Sequence, residues 1–540
     1  AGWGAAPGQP DLAAARPARF EVTQLELAAE VDPPTFIRTL QAISLQFNQQ
    51  DLPYAFLVDR SGNVYQGRLG APALNGTVSI ALLGAPTDAG RVALAQLMAW
   101  TSESYQFPLS VTVTGALGIA DALAISTAAD EALVRSRWTF VESNTRDYTE
   151  RLMLYNPTRQ LAKARLVFLP GQSNAVQRDY AIEPGQRINI IANDIFSDTA
   201  VLPIEVTSNR QIVAERTMLF ANDALGEPGI ERFARSWYFA EGDGSDGRDT
   251  TLNLFNPQPT EVLASVLVID ANGFTSTQSL VLPAFTSSAL PLSDGLPTTF
   301  GIRVSASAPI AAERTVLAGP TNNGGFLTRG APAAAKTWYF AEGATIAPYV
   351  TTLALLNPGP VAAAITTTFL TESGDTYIRR YQIPPQTRFT VEMQDIVPSP
   401  QGVGTVVEAS QPIVAERTTY FNDGGAATNT LGATELAYVW HFAEGRTADP
   451  ATEFIVLANP GAKPADVTLR FGLGSGESQS SRYTIPASGR IALLVNSLIT
   501  PEQSHTTTVE STMPIVAERT IFIANEGGGG GHTALGTPER

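Results

Sequence analysis

Residues 235–242 read RSWYFAEG, residues 336–343 read KTWYFAEG, and residues 438–445 read YVWHFAEG; a looser copy, SRWTFVES, stands at 136–143. The tryptophans, Trp138, Trp237, Trp338 and Trp440, are 99, 101 and 102 residues apart. Each is followed by an Asn-Pro pair, at Asn156-Pro157, Asn256-Pro257, Asn357-Pro358 and Asn459-Pro460. Each repeat then ends on VAERT or AAERT, at Glu215-Arg216, Glu313-Arg314, Glu416-Arg417 and Glu518-Arg519. Three markers in one order at one spacing define an internal repeat in four copies, spanning roughly 133 to 525.

Every copy reads as all-β. In the third, TTLALLNPG (351–359) alternates and stops at a turn. AAAITTTFLTESGDTYIRRYQI (362–383) is two strands about a Ser-Gly-Asp turn, and TRFTVEMQDI, GVGTVVEAS and PIVAERTTYF follow. About seven short strands with period-two alternation and regular turn signals predict a two-sheet, immunoglobulin-like sandwich. The predicted sandwiches cover 133–222, 223–320, 321–422 and 423–525, joined by short Gly/Asn-rich linkers. Residues 526–540 then read as a Gly-rich C-terminal tail, a linker with no domain after it. Four sandwiches in series predict a rod.

The chain before residue 133 differs. A 1–19 tail precedes an α/β domain at 20–132. PPTFIRTLQAISLQFNQQ (33–50) has helical apolar spacing at Phe36, Ile37, Leu40, Ile43 and Phe47. YAFLVDRSGNVYQGR (54–68) predicts a hairpin, VSIALLG (78–84) and SVTVTG (110–115) predict strands, and residues 89–105 predict a second helix. The fold class expected is therefore multidomain: an N-terminal α/β domain and four tandem all-β sandwiches.

Composition narrows the function. Charged residues are 16% of the chain, the net charge is −16 and the pI about 4.8. No basic stripe is present to neutralise phosphates, which argues against nucleic acid, and the negative charge disfavours a membrane surface. With no Cys, disulfides, thiolate metal sites and a Cys nucleophile are excluded. No apolar run is long enough for a membrane span. The opening AGWGAAPG, without Met, suggests the mature end left after signal-peptide removal.

PYAFLVDRSGNVYQGR and GTVSIALLG make the α/β domain resemble the zinc amidase and peptidoglycan-recognition family, which cleaves N-acetylmuramoyl-L-alanine bonds. The resemblance covers about residues 20 to 125. It implies two histidines at the end of the first strand, where LELAAEV places Ala28 and Ala29, and another in the segment where TGALG places Ala116. The third ligand position falls in ADALAIS, near Asp121. One carboxylate does not hold a zinc ion. Tyr54 aligns with the family's active-site tyrosine and, without a metal, reads as a packed remnant. The loop helping to form the family's substrate groove is shortened to APALNG. The domain is expected to be a pseudo-enzyme, and no cofactor is implied.

Other chemistry is sparse. His441, His505 and His532 are far apart in sequence, and the GGGGG run at 527–531 lacks the Lys-Ser/Thr of a phosphate loop. The repeated charges suggest structure instead. The arginines Arg216, Arg314, Arg417 and Arg519 are expected to pair with the glutamates Glu142, Glu241, Glu342 and Glu444 of the AEG motif, fixing the angle between units. The repeats resemble W-Y-F-A-E-G … N-P … V-A-E-R modules of bacterial extracellular proteins. The first copy departs from that pattern, with FVES for FAEG. The expected function is a non-catalytic, secreted structural protein of a filament, sheath or surface layer. Its partner would be itself, through a tail including Gly527, His532 and Leu535 docked on the next copy. The alternative is a monomeric wall-binding or adhesive protein whose pseudo-amidase domain grips peptidoglycan or a cell-surface glycan.

Overall fold

The structure, a computed structural model, describes residues 17–539 apart from 29–30, 47–50, 69–72, 74, 86, 106–108, 110, 115–116, 118, 171–174, 221–222, 246, 293–294, 319–323, 422–423, 475, 501–502 and 524–528. The chain divides into two compact units, 1–135 and 136–540.

The first unit is α/β. Its elements are β1 (Arg19–Leu25), α1 (Pro33–Gln46), β2 (Phe56–Val58), β3 (Val64–Gln66), β4 (Thr77–Leu83), α2 (Asp88–Tyr105), β5 (Val111–Thr114) and α3 (Ile119–Ala132). The sheet order is β3-β2-β4-β1-β5, parallel except for the β2–β3 hairpin. Asp32 caps α1 by accepting the Thr35 amide at 3.0 Å, with Pro33 at the first helical position. Of the predicted α1 stripe, Ile37 is buried while Ile43 is exposed, and Phe47 lies outside the described residues. The hairpin is tied by Asp59, whose carboxylate accepts the Ser61 and Asn63 amides, the Asn63 side chain and the Tyr65 hydroxyl at 2.8–2.9 Å. This is an Asx-type turn, with Gly62 at φ +84° supplying the left-handed step. Helix α3, not foreseen, comes from IADALAISTAADEA, which is Ala-rich and has no clear polar face.

The second unit holds the four repeats. In the first, β6 (Ser136–Phe140), β11 (Ile204–Ser208), β8 (Ala162–Phe168) and β9 (Val176–Ile182) form one antiparallel sheet in that order. The other sheet is β10 (Arg187–Ile191), β7 (Thr149–Tyr155), β12 (Val213–Phe220) and β13 (Asp223–Pro228). Inward residues of both sheets share one core, including Trp138, Leu154, Leu166, Ile190 and Val206. In the later repeats β11 and β12 merge into single strands, Gly301–Ala318, Gly404–Phe421 and His505–Ile523, which pass from one sheet to the other.

Two motif residues explain why the repeats fold alike. Each tryptophan is buried, and its indole N–H donates at 2.9–3.1 Å to the carbonyl of Ile212, Ile310, Ile413 or Ile515, just before the VAERT or AAERT segment. A buried Trp thereby loses no hydrogen bond. Each Asn of the Asn-Pro pair is fully buried. Asn357, for example, donates to Val361 and Pro384 carbonyls at 2.9 Å and accepts the Gly359 amide at 3.1 Å, pinning two loops together.

Three expectations are corrected. The segments assigned to linkers are strands of the preceding sandwich: β13, Gly324–Arg329 and Ala426–Leu431 pair with the VAERT-bearing strands. Predicted starts at 223, 321 and 423 therefore fall too early, and each of these strands completes the sandwich before it. The C-terminal segment is not a free tail: Gly530–Leu535 pairs with Glu518–Ile523, and Thr537–Pro538 pairs with the Trp440 strand. Gly527 lies outside the described residues.

Nor do the sandwiches form a rod. The strands β13, Gly324–Arg329, Ala426–Leu431 and Gly530–Leu535 touch in cyclic order, and the last touches the first. The four sandwiches close a ring around a pseudo-fourfold axis. The glycines of the C-terminal run permit the approach at the axis. A Cβ on Gly530 would stand 1.8 Å from the Asp223 carboxylate, and one on Gly226 would stand 2.2 Å from the His532 ring.

Candidate functional site

Adjacent residues of a strand point to opposite faces, and the Glu-Arg pair uses both. In each sandwich the Arg reaches forward to the Glu of the next, while its own Glu receives the Arg of the one before. Arg216 pairs with Glu313 at 3.0 Å, Arg314 with Glu416 at 2.9 Å, Arg417 with Glu518 at 2.5 Å, and Arg519 with Glu215 at 2.5 Å. The fourth contact joins the last sandwich to the first. All eight side chains are buried. Phe140, Phe239 and Phe442 of the motif lie 5.2–5.7 Å beneath the guanidinium groups of Arg216, Arg314 and Arg519, a cation–π seat.

The expected partner is thereby corrected. The arginine binds the AEG glutamate of its own sandwich mainly through the backbone carbonyl, of Glu142, Glu241, Glu342 or Glu444. Only Arg519 also meets the carboxylate, Glu444, at 2.9 Å. The AEG carboxylates turn instead to the neighbouring sandwich. Glu241 meets Arg388 at 2.5 Å and Glu342 meets Arg490 at 3.8 Å. Arg388 and Arg490, with Arg187, are equivalent positions at the start of the fifth strand. They also donate to the carbonyls of Ala240, Ala341 and Ala443 at 2.8–3.1 Å. In the second sandwich Ser287 stands at this position and donates to the Val141 carbonyl at 3.3 Å. Sequence reading missed these residues, because a strand-initial Arg has no partner visible in the chain order.

The axis has its own polar device. Asp223 is buried and accepts the Gly325 amide at 3.0 Å and the Gly531 amide at 2.5 Å, so one carboxylate holds the second and fourth sandwiches. Burial pushes it up to about 7. His532 is buried with Nε2 3.4 Å from Glu444, and burial brings it down to about 4. His505 is paired with Glu453 at 3.0 Å, and His441 contacts Thr508 at 3.0 Å. Leu535 is buried in the core of the fourth sandwich. On one face of the ring the segments after the axial strands surround a depression of about 930 Å³, with Ala331, Pro332, Leu436 and Pro538 on its walls and Arg232, Arg329 and Glu435 among its charged groups.

In the α/β unit, Ala28 is exposed beyond the end of β1. Ala29 and Ala116 lie outside the described residues, as does the side chain of Asp121. Tyr54 packs beside Leu27, Ile37, Leu52 and Leu57, and burial, followed by the Glu21 charge, raises its hydroxyl above the usual range. Among the described residues, no three His, Cys, Asp or Glu side chains converge as a metal-holding group. No described helix is long and apolar enough to cross a membrane.

No protein-family model and no curated protein matches the chain. Among the solved structures that resemble parts of it are the following two. A protein titled "Thermotoga maritima 1070" is 18% identical over 19% of this chain and 95% of its own, with a TM-score of 0.19. A tetra-tandem repeat from the extending region of a large adhesion protein is 11% identical over 75% of this chain and 99% of its own, with a TM-score of 0.10. At these scores neither likeness carries an argument.

Proposed function

We propose that the chain is a non-catalytic, secreted bacterial surface protein that acts as a monomer, with its α/β unit gripping wall glycan and its four-sandwich ring serving as a rigid display body. The observation that carries this reading is the Arg519–Glu215 junction between the last sandwich and the first. A head-to-tail interface propagates into a filament unless rotation closes it. Here the same junction recurs four times and returns to its start within one chain, leaving no open copy to recruit another molecule. Residues 530–535 are likewise paired within the fourth sandwich, which supports the monomer over a tail-linked filament.

The resemblance of two motifs of the first unit to the amidase family supports glycan binding. The motif YAFLVDRSGNVYQGR forms the β2–β3 hairpin, and the other motif forms β4, the central strand of the sheet. Extracellular placement rests on the resemblance of the repeats to secreted modules. Sedimentation velocity of the full chain, followed by a pull-down on insoluble peptidoglycan, tests both parts. The expected result is a 57.3 kDa monomer that co-sediments with the wall. Polymers would overturn the monomeric reading, and a monomer left in the supernatant would overturn the wall-binding one.

A further inference from the structure

The four junctions are built alike, but their charges are not balanced alike. The second-to-third junction sets Glu241 and Glu416 against Arg314 and Arg388. The third-to-fourth sets Glu342 and Glu518 against Arg417 and Arg490, with the exposed Glu372 beside Arg490. At the fourth-to-first, Glu215 and Glu444 face Arg519, Arg187 and His532, and the buried Glu453 has His505 at 3.0 Å.

The first-to-second junction departs. Ser287 stands where Arg187, Arg388 and Arg490 do, so Glu142 is met by neutral donors, Asn253 at 2.6 Å and Thr315. Glu150, fully buried, occupies the position held by Thr250 and Thr351 in the next two sandwiches. In the fourth sandwich the same position is Glu453, but there a histidine answers it; Leu202 stands where that histidine, His505, would be. Four carboxylates, Glu142, Glu150, Glu227 and Glu313, thus share Arg216 and Arg329. Arg216 is 3.0 Å from Glu313, and Arg329 is 3.3 Å from Glu227. One buried oxygen on each of Glu150, Glu227 and Glu313 has no hydrogen-bond partner. Tyr148 and the Glu416 carboxylate also face this cluster.

We propose that the junction between the first and second sandwiches is a proton-operated seam, tight while its surplus buried carboxylates carry protons and loosened when they ionise. The unpartnered oxygens of Glu150 and Glu227 are where such protons would sit. Burial pushes Glu142 and Glu150 up to about 7 and Glu227 to about 8, with the nearby arginines working in the opposite direction. Burial raises Glu215, Glu241 and Glu518 too, but each of these has an arginine at 2.5 Å. A carboxyl whose pKa is raised in the closed state binds more protons there than in the open one. The closed seam is therefore favoured at low pH and loses that advantage as pH rises from about 4.5 to about 8.

Hydrogen exchange read by mass spectrometry on the full chain at pH 6.0 and 8.5, corrected for intrinsic rates, tests this. The Glu142 amide, which donates to Glu313 at 2.9 Å, and strand 149–155 report the seam. Their counterparts at 443–444 and 451–459 report the fourth-to-first junction. Each of Glu142 and Glu150 is expected to raise seam opening about tenfold over this interval, with little change at the other junctions. Glu150→Thr, which copies the second and third sandwiches, and Ser287→Arg, which supplies the missing cation, should each flatten the response. Equal change at all four junctions, no change at the seam, or an undiminished response in a folded Glu150→Thr variant would overturn the proposal.

Discussion

Replacing Glu215 by Ala removes the carboxylate that closes the ring. Its oxygens accept Arg519 Nη1 at 2.5 Å and the amides of Ala443 and Glu444 at 3.0 and 3.1 Å. Breaking one side of a buried ion pair costs about 3–5 kcal/mol, since it leaves a charge buried without its partner. The two orphaned amides would each cost about 1–3 kcal/mol if left dry. Arg519 keeps Glu444 at 2.9 Å, and water entering the gap serves the amides in part, so the expected net loss is about 4 kcal/mol. Asp198→Ala is the control. It breaks Arg146–Asp198, also 2.5 Å long but with side chains 55% and 69% exposed, and such a solvent-screened pair contributes little. Equal distances leave burial and the two amides that Glu215 also serves as the differences. Urea unfolding followed by tryptophan emission measures both, and the double variant Glu215→Leu/Arg519→Met should recover only part of the loss, because it removes the stranded Arg519 charge but leaves Glu444 without its arginine and the Ala443 and Glu444 amides without their acceptor. A Glu215→Ala cost no larger than that of Asp198→Ala would refute the reasoning.

Deleting residues 530–540 should not leave an intact ring with a missing tail; it strips the 530–535 strand from the fourth sandwich and exposes the axis, which near-ultraviolet circular dichroism and limited proteolysis would register as loss of ordered structure in 436–523. Asn357→Ala should cost about 2–4 kcal/mol in urea unfolding, since the buried Ile383 carbonyl and the half-buried carbonyls of Val361 and Pro384 lose their donor. His532 is held neutral by burial, with its pKa lowered to about 4, so the ring should lose stability as pH falls from about 6.5 to 4, and His532→Gln should remove part of that acid limb in thermal melts. Zinc or a chelator should leave the melting temperature of the full chain unchanged, as read by scanning calorimetry.

The repeat, its strands and its buried tryptophans were legible because burial on a two-sheet core forces period-two alternation and fixed turn positions. The placement of the Asn-Pro turns followed for the same reason. Ownership of the linkers was not legible: Gly324–Arg329 looks like a connector, because its glycines serve close packing at an axis made by four separate segments. The pairing of Glu and Arg was ambiguous for a related reason. Identical motifs in four copies permit many pairings, and the rotation between sandwiches alone selects Arg216 with Glu313 over Arg216 with the Glu142 carboxylate. Helix α3 was missed because its run of alanines has no contrast between faces. In the α/β unit the β2–β3 hairpin was legible from the Asp59-Arg-Ser-Gly-Asn turn, whose hydrogen bonds are local.

The most direct measurement is negative-stain electron microscopy of the full chain, with class averages of single particles. The account predicts that residues 136–540 appear as a closed body of four lobes around a central axis. A nine-residue strand within one sheet, such as Arg248–Asn256, makes each sandwich about 30 Å long, so an open array would appear as a string of lobes on the order of 120 Å. Such a string would contradict the closed ring.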